Sequence, residues 1–420
     1  MKTFAGRYSI ASLPKVKQMA SKNGHLRKPR VAWILTHRIQ YFVNLIDLLH
    51  QRGNIEISLF LGCATGSIND KEFGKMIDWD NRTLTSFPEH FLQSPQDKPL
   101  PGFLKSYSSS LASELDKWQP DYLYINGYTD AIAWQAFLWA RSHRKPFALR
   151  CDGDTLVKKN ALKSGIRKKI AAFMTTRADK VTFQGRENKI FWQQNGASEP
   201  QLEWVPCVPD SEVYRKQIFE TSSDRDVYRA KLNAQKADIV AVVNGKLIDR
   251  KRPMDALEVL VKLKDRNFKL WFLGSGELEQ ALSKRAIELG AGDKVQFLGF
   301  KNQSEIPDIL QAADFLLHPS ALDPWPYSIL EAAISGLALV LSNHTGSYPD
   351  WMAAPPAGSV FRCGDIEDMA RVIKGFLDNP ANLKTCAKNA RTRASEYTES
   401  AFCEIFEALV LRATVGPKTH

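Results

Sequence analysis

Two carboxylates, Asp323 and Glu331, stand with seven residues between them in the segment His318-Pro319-Ser320-Ala321-Leu322-Asp323-Pro324-Trp325-Pro326-Tyr327-Ser328-Ile329-Leu330-Glu331-Ala332-Ala333-Ile334-Ser335-Gly336. The segment follows the apolar run Phe315–Leu317. Pro326 suits a first helical position, where its missing N–H costs nothing. Ile329, Leu330, Ala333 and Ile334 make one apolar face, and Gly336 can end the helix. Asp323 then lies in the loop and Glu331 inside the helix. The backbone N–H groups of Trp325, Tyr327 and Ser328 stand at the positive helix end, which suits an anion. A carboxylate can accept two hydrogen bonds from a vicinal diol, as acids do when they hold ribose. Spacing alone also allows a capped surface helix with incidental acids.

Cations appear in a second place. After the apolar run Ile239–Val243 comes Asn244-Gly245-Lys246-Leu247-Ile248-Asp249-Arg250-Lys251-Arg252-Pro253. Fixed cations there could balance the charge that grows on a departing diphosphate, as a metal ion would. Taken alone, Lys246 and Lys251 could equally be surface lysines. Leu273-Gly274-Ser275-Gly276 follows another apolar run and suggests a tight turn opening a helix at Glu277. It does not complete a dinucleotide fingerprint, because the third glycine position is Glu279. In the first half, Leu149-Arg150-Cys151-Asp152-Gly153-Asp154 closes an apolar run. Asp152 and Asp154 fit a polar turn, an acceptor-side or catalytic acid with Asp152 favoured, or a metal pair. His37 and Arg38 follow the first apolar run.

Short apolar runs must position these residues. They are Val31–Leu35, Ile57–Leu61, Tyr122–Ile125, Phe147–Leu149 and Val181–Phe183, then Ile239–Val243, Leu270–Leu273, Val295–Leu298, Phe315–Leu317 and Leu337–Leu341. Runs this short and continuously apolar suggest strands buried on both faces. Helical patterns such as Val43–Leu49, Asp255–Leu263 and Glu277–Leu289 lie between them. The alternation predicts an α/β chain with doubly wound parallel sheets, whose ligands bind beyond the carboxyl ends of the strands. The expected organisation is a basic tail at 1–29, a first domain at 30–210, a polar linker at 211–235, a second domain at 236–388, and a terminal stretch at 389–420 beginning as a helix.

The acid segment resembles the signature of family 4 retaining glycosyltransferases, which has two acids separated by seven residues and followed by Ala-x-x-x-Gly. Asp323, Glu331, Ala332 and Gly336 match it; Asp323 stands where Glu is usual and Pro326 where Gly is usual. The loop with Lys246 and Lys251 is similar to the family's Gly-Arg-Leu loop with its later Lys. Gly274 and Gly276 match its Gly-x-Gly loop, and Phe297-Leu298-Gly299-Phe300-Lys301 the strand and loop near the base. The resemblance implies a GT-B fold, two Rossmann-like domains facing a cleft, with the terminal helix crossing back to the first. It implies transfer of a hexose from a nucleoside-diphosphate sugar to a glycan or lipid-linked acceptor. Donor-binding residues would be Gly245, Lys246, Lys251, Gly274, Gly276, Phe300, Trp325, Tyr327, Ser328 and Glu331, with Glu331 on the ribose diol. Catalysis would involve Asp323 beside the donor hexose, Lys246 and Lys251 at the diphosphate, and Asp152. His37, Arg38 and Arg150 would face the acceptor. The resemblance also implies no metal or other cofactor. A nucleotide-sugar 2-epimerase, or a non-catalytic nucleotide- or glycan-binding protein of the same fold, stay open as alternatives.

Composition agrees with a globular chain: 44% of residues are hydrophobic and 25% charged. The six cysteines form no CxxC pair, so neither a zinc ribbon nor a disulfide framework is indicated, and a reducing, cytoplasmic setting is expected. Eight Lys or Arg and no acid lie in Met1–Arg30, so this stretch carries eight of the eleven net positive charges. A second basic stretch includes Lys159, Lys163, Arg167, Lys168, Lys169 and Arg177. Such stretches suit a solvated helix face or an anionic membrane surface, which would make the protein peripheral on the inner face. No recognised nucleic-acid module accompanies them, and no nucleic-acid partner is expected.

Overall fold

The computed structural model describes residues 27–62, 69–70, 75–76, 85–93, 102–153, 155 and 161–415. Leu26 and everything before it, Asp154, Lys158 and Lys159 lie outside the described residues, and with them most of the basic tail and half of the Asp152–Asp154 pair.

Two units divide the chain. The division falls between Cys207 and Val208, and the chain returns to the first unit at Thr398. The first unit holds a seven-stranded sheet built from β1 (Arg30–Leu35), β2 (Glu56–Leu61), β3 (Glu89–Phe91), β4 (Tyr122–Asn126), β5 (Phe147–Arg150), β6 (Lys180–Phe183) and β7 (Leu202–Trp204). Its spatial order is β3-β2-β1-β4-β5-β6-β7, and every pairing is parallel. The central strands are buried along their length, as the continuous apolar runs require. The Glu399–Val415 helix covers this sheet. Phe406 stacks on Trp33 at 5.2 Å, and its ion pairs, Glu407 to Arg52 and Arg412 to Glu203, are each 2.8 Å.

The second unit holds a six-stranded sheet from β8 (Ile239–Asn244), β9 (Phe268–Leu273), β10 (Val295–Gly299), β11 (Phe315–His318), β12 (Ala338–Ser342) and β13 (Gly358–Phe361). The order is β10-β9-β8-β11-β12-β13, again parallel throughout. Its core joins Ala241, Leu270, Phe272, Phe315 and Val340 to Leu257 and Leu260 of the Pro253–Lys262 helix. Residues 211–235, polar in composition, contain the helices Ser211–Arg215 and Ser222–Lys231. Arg225 and Arg229 anchor the latter on Asp314, at 2.9 and 3.1 Å.

The ten expected strands all form. Within the two parallel sheets three short ones, β3, β7 and β13, go beyond the expectation, because Glu-His-Phe, Leu-Glu-Trp and Gly-Ser-Val-Phe carry too few apolar residues to stand out. Three boundaries shift. Pro326 caps the Tyr327–Ser335 helix in an extended conformation and is not its first helical residue. The turn after Gly276 delays the next helix to Glu279. The strand after Gly336 starts at Ala338, because Gly336 adopts φ +89° and leaves Leu337 to turn the chain.

Candidate functional site

Strand order reverses at β8. The chain builds β9 and β10 on one side of it and β11 to β13 on the other, so β8 and β11 flank a topological switch point, where α/β sheets bind ligands. Both chemistry-bearing segments leave the sheet there. Lys246 and Lys251 lie in the loop after β8, and Asp323 in the loop after β11.

Backbone contacts hold the two loops together. Arg250 O accepts from Ala321 N at 2.9 Å and from Ser320 Oγ at 3.3 Å, while Arg250 Nη1 donates to Leu322 O at 2.8 Å. On the other side Asp323 bridges Thr345, and Gly346 N donates to Asp323 O at 2.8 Å. The loop that carries Asp323 is therefore held at 320–322 by Arg250, before β9, and at Asp323 itself by Thr345 and Gly346, after β12. Asp323 is 8% exposed; its carboxylate forms an ion pair with Lys251 through Oδ2 and lies 3.2 Å from Nε2 of the buried His318. Burial by itself would raise the pKa of this acid. The Lys251 ammonium and the His318 ring outweigh it and hold the carboxyl well below the usual carboxylate range. For His318 burial dominates: it lowers the pKa despite the neighbouring carboxylate, with Lys251 and Arg250 acting in the same direction as burial.

Glu331 sits in the Tyr327–Ser335 helix at 3% exposure and accepts a hydrogen bond from Asn244 Nδ2 at 3.3 Å. Asn244 is the last residue of β8, so the second acid also reaches the switch point. Lys246 is partly buried on the same loop. Tyr327 and Ser328 form the first turn of the helix, whose leading N–H groups have no intrahelical acceptor. Trp325 is buried, its ring 6.4 Å from that of Tyr397.

The glycines have a mechanical reason to be there. A Cβ on Gly274 would come within 2.1 Å of Gly245 O, and one on Gly276 within 2.4 Å of Leu247 O. Only bare backbone allows the loops after β8 and β9 to lie this close. Gly274 N in turn donates to Gly299 O at 2.9 Å, which fixes the turn leading to Phe300.

In the first unit, His37 follows β1 and shares a 2.9 Å contact between its Nδ1 and Thr36 Oγ1. Its pKa is lowered by burial and by Lys105, against the opposing pull of Asp130. Arg38 pairs with Glu89 at 3.2 Å. Arg150, at the end of β5, is buried over the Phe42 ring and donates to Gln184 Oε1 at 3.1 Å. Asp152 is exposed, accepts from Gln184 Nε2 at 2.6 Å and lies 3.3 Å from Arg150.

Thus Asp323, Lys251, Lys246 and Glu331 gather around one switch point, while His37, Arg38, Arg150 and Asp152 belong to the other unit. Sequence reasoning passed over His318, Asn244 and Arg250. The first two close apolar strand runs, which marks them as residues delivered to the carboxyl edge; Arg250 stands between two better-marked neighbours. Among the described residues no helix is long and apolar enough to cross a membrane, and no group of three or more His, Cys, Asp or Glu could hold a metal ion.

Residues 224–393 match the family model of glycosyl transferases group 1. The chain is 28% identical over 186 residues to the lipopolysaccharide core biosynthesis glycosyltransferase LpsE of Rhizobium meliloti, covering 44% of this chain and 53% of that one. It is 24% identical over 227 residues to the N,N'-diacetylbacillosaminyl-diphospho-undecaprenol alpha-1,3-N-acetylgalactosaminyltransferase of Campylobacter jejuni, covering 54% and 58%. The chain thus spans about half the length of these curated relatives. In fold it is similar to Anabaena HepE solved with UDP, with TM-score 0.70 at 17% identity over 91% of this chain and 99% of that one. Residues 224–393 thus resemble the glycosyl transferases group 1 family, and the chain has a GT-B fold of two Rossmann-like parallel-sheet domains.

Proposed function

We propose that the chain is a retaining glycosyltransferase that moves a hexose from a nucleoside-diphosphate sugar to a glycan or lipid-linked acceptor, in cell-surface polysaccharide or glycolipid synthesis. The observation that carries this reading is the grouping of two buried acids and two lysines at the β8/β11 switch point. Glu331 holds the ribose diol. Lys246 and Lys251, with the first N–H groups of the Tyr327–Ser335 helix, meet the diphosphate. Asp323 lies by the donor hexose, where a carboxylate held anionic steadies positive charge developing at the anomeric carbon. Charge on the leaving diphosphate grows as the glycosidic bond stretches, so the lysines interact most strongly near the transition state. In front-side attack the leaving diphosphate helps take the acceptor proton. His37, Arg38, Arg150 and Asp152 are assigned to the acceptor. The names of the two relatives, one of lipopolysaccharide core synthesis and one acting on a diphospho-undecaprenol, support the acceptor class.

The test is a panel of UDP-, GDP- and ADP-sugars, scored by thermal stabilisation and by release of the nucleoside diphosphate with and without acceptor. Release that rises with acceptor, with the anomeric configuration kept in the product, is the expected result. Isomerised sugar without transfer would make the chain a 2-epimerase, and binding without turnover a non-catalytic protein.

A further inference from the structure

His318 has no part in the reading above, yet it is the most conspicuous side chain of the site. It is the last residue of β11, 3% exposed. A buried ring N–H without an acceptor is costly, so such a group asks for a reason. Its Nε2 makes no aligned hydrogen bond. Asp323 Oδ2 lies 3.2 Å from it, and that oxygen is engaged by Lys251.

The three groups form a set with one acceptor and two candidate donors. Lys251 sits on a flexible four-carbon stem and can swing. His318 is fixed at a strand end and cannot. If Lys251 turns toward a phosphate, Asp323 loses its cation while remaining buried, and a buried uncompensated carboxylate is strongly unfavourable. The backbone of Asp323 cannot follow Lys251, because Thr345 and Gly346 hold it from the other side.

We propose that His318 is a positioning residue to which Asp323 is handed over: when the donor's diphosphate draws Lys251 away, the neutral imidazole donates Nε2–H to Asp323 Oδ2 and keeps the carboxylate buried, anionic and aimed. No covalent bond is made or broken; one hydrogen bond replaces another. The charged groups facing the ring are Asp323, Lys251 and Arg250, and burial keeps the imidazole neutral among them. The inference rests on the donor-site reading.

Two measurements separate failure of the inference from failure of that reading. In the first, the imidazole resonances of His318 are followed by NMR in the intact protein, with and without UDP, GDP or ADP, whichever calorimetry shows to bind. Saturation should move the Nε2–H proton downfield and slow its exchange with water, and the Asp323→Asn variant should show a smaller shift. Binding that leaves the His318 resonances unchanged overturns the hand-over while the donor site stands. Absence of binding by all three nucleotides removes the donor site, and the hand-over with it. The second measurement compares His318→Leu with His318→Gln. Leucine should lower kcat by about tenfold or more with little change in KM for the donor or in nucleotide affinity, and glutamine, which keeps a side-chain N–H, should restore part of the loss. A kcat for the leucine variant within about twofold of wild type, or equal losses in both variants, would refute the role. Should the leucine variant fail to fold, the NMR measurement on the wild-type protein decides alone.

Discussion

Lys251 and Asp323, 72 residues apart in the chain, meet as a largely buried ion pair where the loops after β8 and β11 run side by side. Such a pair contributes little net stability compared with apolar packing, but removing one partner leaves the other buried and uncompensated. The pair therefore stores a charge arrangement whose members can be reassigned when a ligand enters.

Lys251→Met should destabilise the fold by about 3–5 kcal/mol, because it strands Asp323. Adding Asp323→Asn to it should recover part of that loss. Urea unfolding of the single and double variants measures both. Equal stability of Lys251→Met and wild type would mean that Asp323 is solvated where the structure buries it.

Lys246→Ala should lower turnover by about 10²–10³ and change KM for the donor much less, as for a cation that acts on developing charge. If lysines meet that charge, activity should also survive EDTA. An ordinary surface lysine would leave kcat unchanged. Loss of activity in EDTA, restored by Mn²⁺ or Mg²⁺, would move the diphosphate charge onto a metal.

Glu331→Gln keeps the shape of the buried side chain and the contact with Asn244, but removes the charge that would hold two ribose hydroxyls. Nucleoside-diphosphate affinity should fall by about 1–3 kcal/mol in calorimetry, with thermal stability little changed. Wild-type affinity would exclude Glu331 from the donor site.

Acid should destabilise the protein in two stages of the same sign. Burial lowers the pKa of His37, His90 and His318, so below the unfolded value of about 6.5 the unfolded chain binds more protons than the folded one. Their contribution is complete above about pH 6.5 and is lost as pH falls toward the lowered values. The Asp323 contribution is complete above about pH 3.9 and is lost below it, as pH falls toward the depressed folded value. Unfolding free energy should thus decline from about pH 6.5 downward, and His318→Gln should flatten part of that first decline. A wild-type profile that stays level down to about pH 5 would contradict the burial of these rings.

Gly346→Ala places a methyl group 2.1 Å from Pro324 O, next to the bond that Gly346 N donates to Asp323 O. Overpacking of this kind costs about 1–3 kcal/mol. Because the displaced backbone carries Asp323, activity should fall further than stability alone explains. A variant with wild-type melting temperature and rate would show that this clamp has no mechanical role.

The strands that deliver the site were legible because parallel strands buried on both faces must be continuously apolar: Ile239–Val243 and Phe315–Leu317 stand out against their polar surroundings. Asp323 and Glu331 were legible because a proline, an apolar helical face and a terminal glycine place one acid in a loop and the other in a helix. Strands as short as Gly358–Phe361 were not, since two apolar residues set no period. Nor could one-dimensional spacing show that Lys251 lies against Asp323. That contact exists because β8 and β11 are neighbours across a reversal of strand order, a property of the whole sheet. The same holds for His318. In the chain it is a histidine at the end of an apolar run. Only packing across the β8/β11 boundary buries it, leaves its Nε2 without an aligned partner, and sets it beside a carboxylate that a lysine from the loop after β8 already occupies. Local sequence determines which residues reach the carboxyl edge of the sheet; the strand order of the folded domain decides which of them meet there.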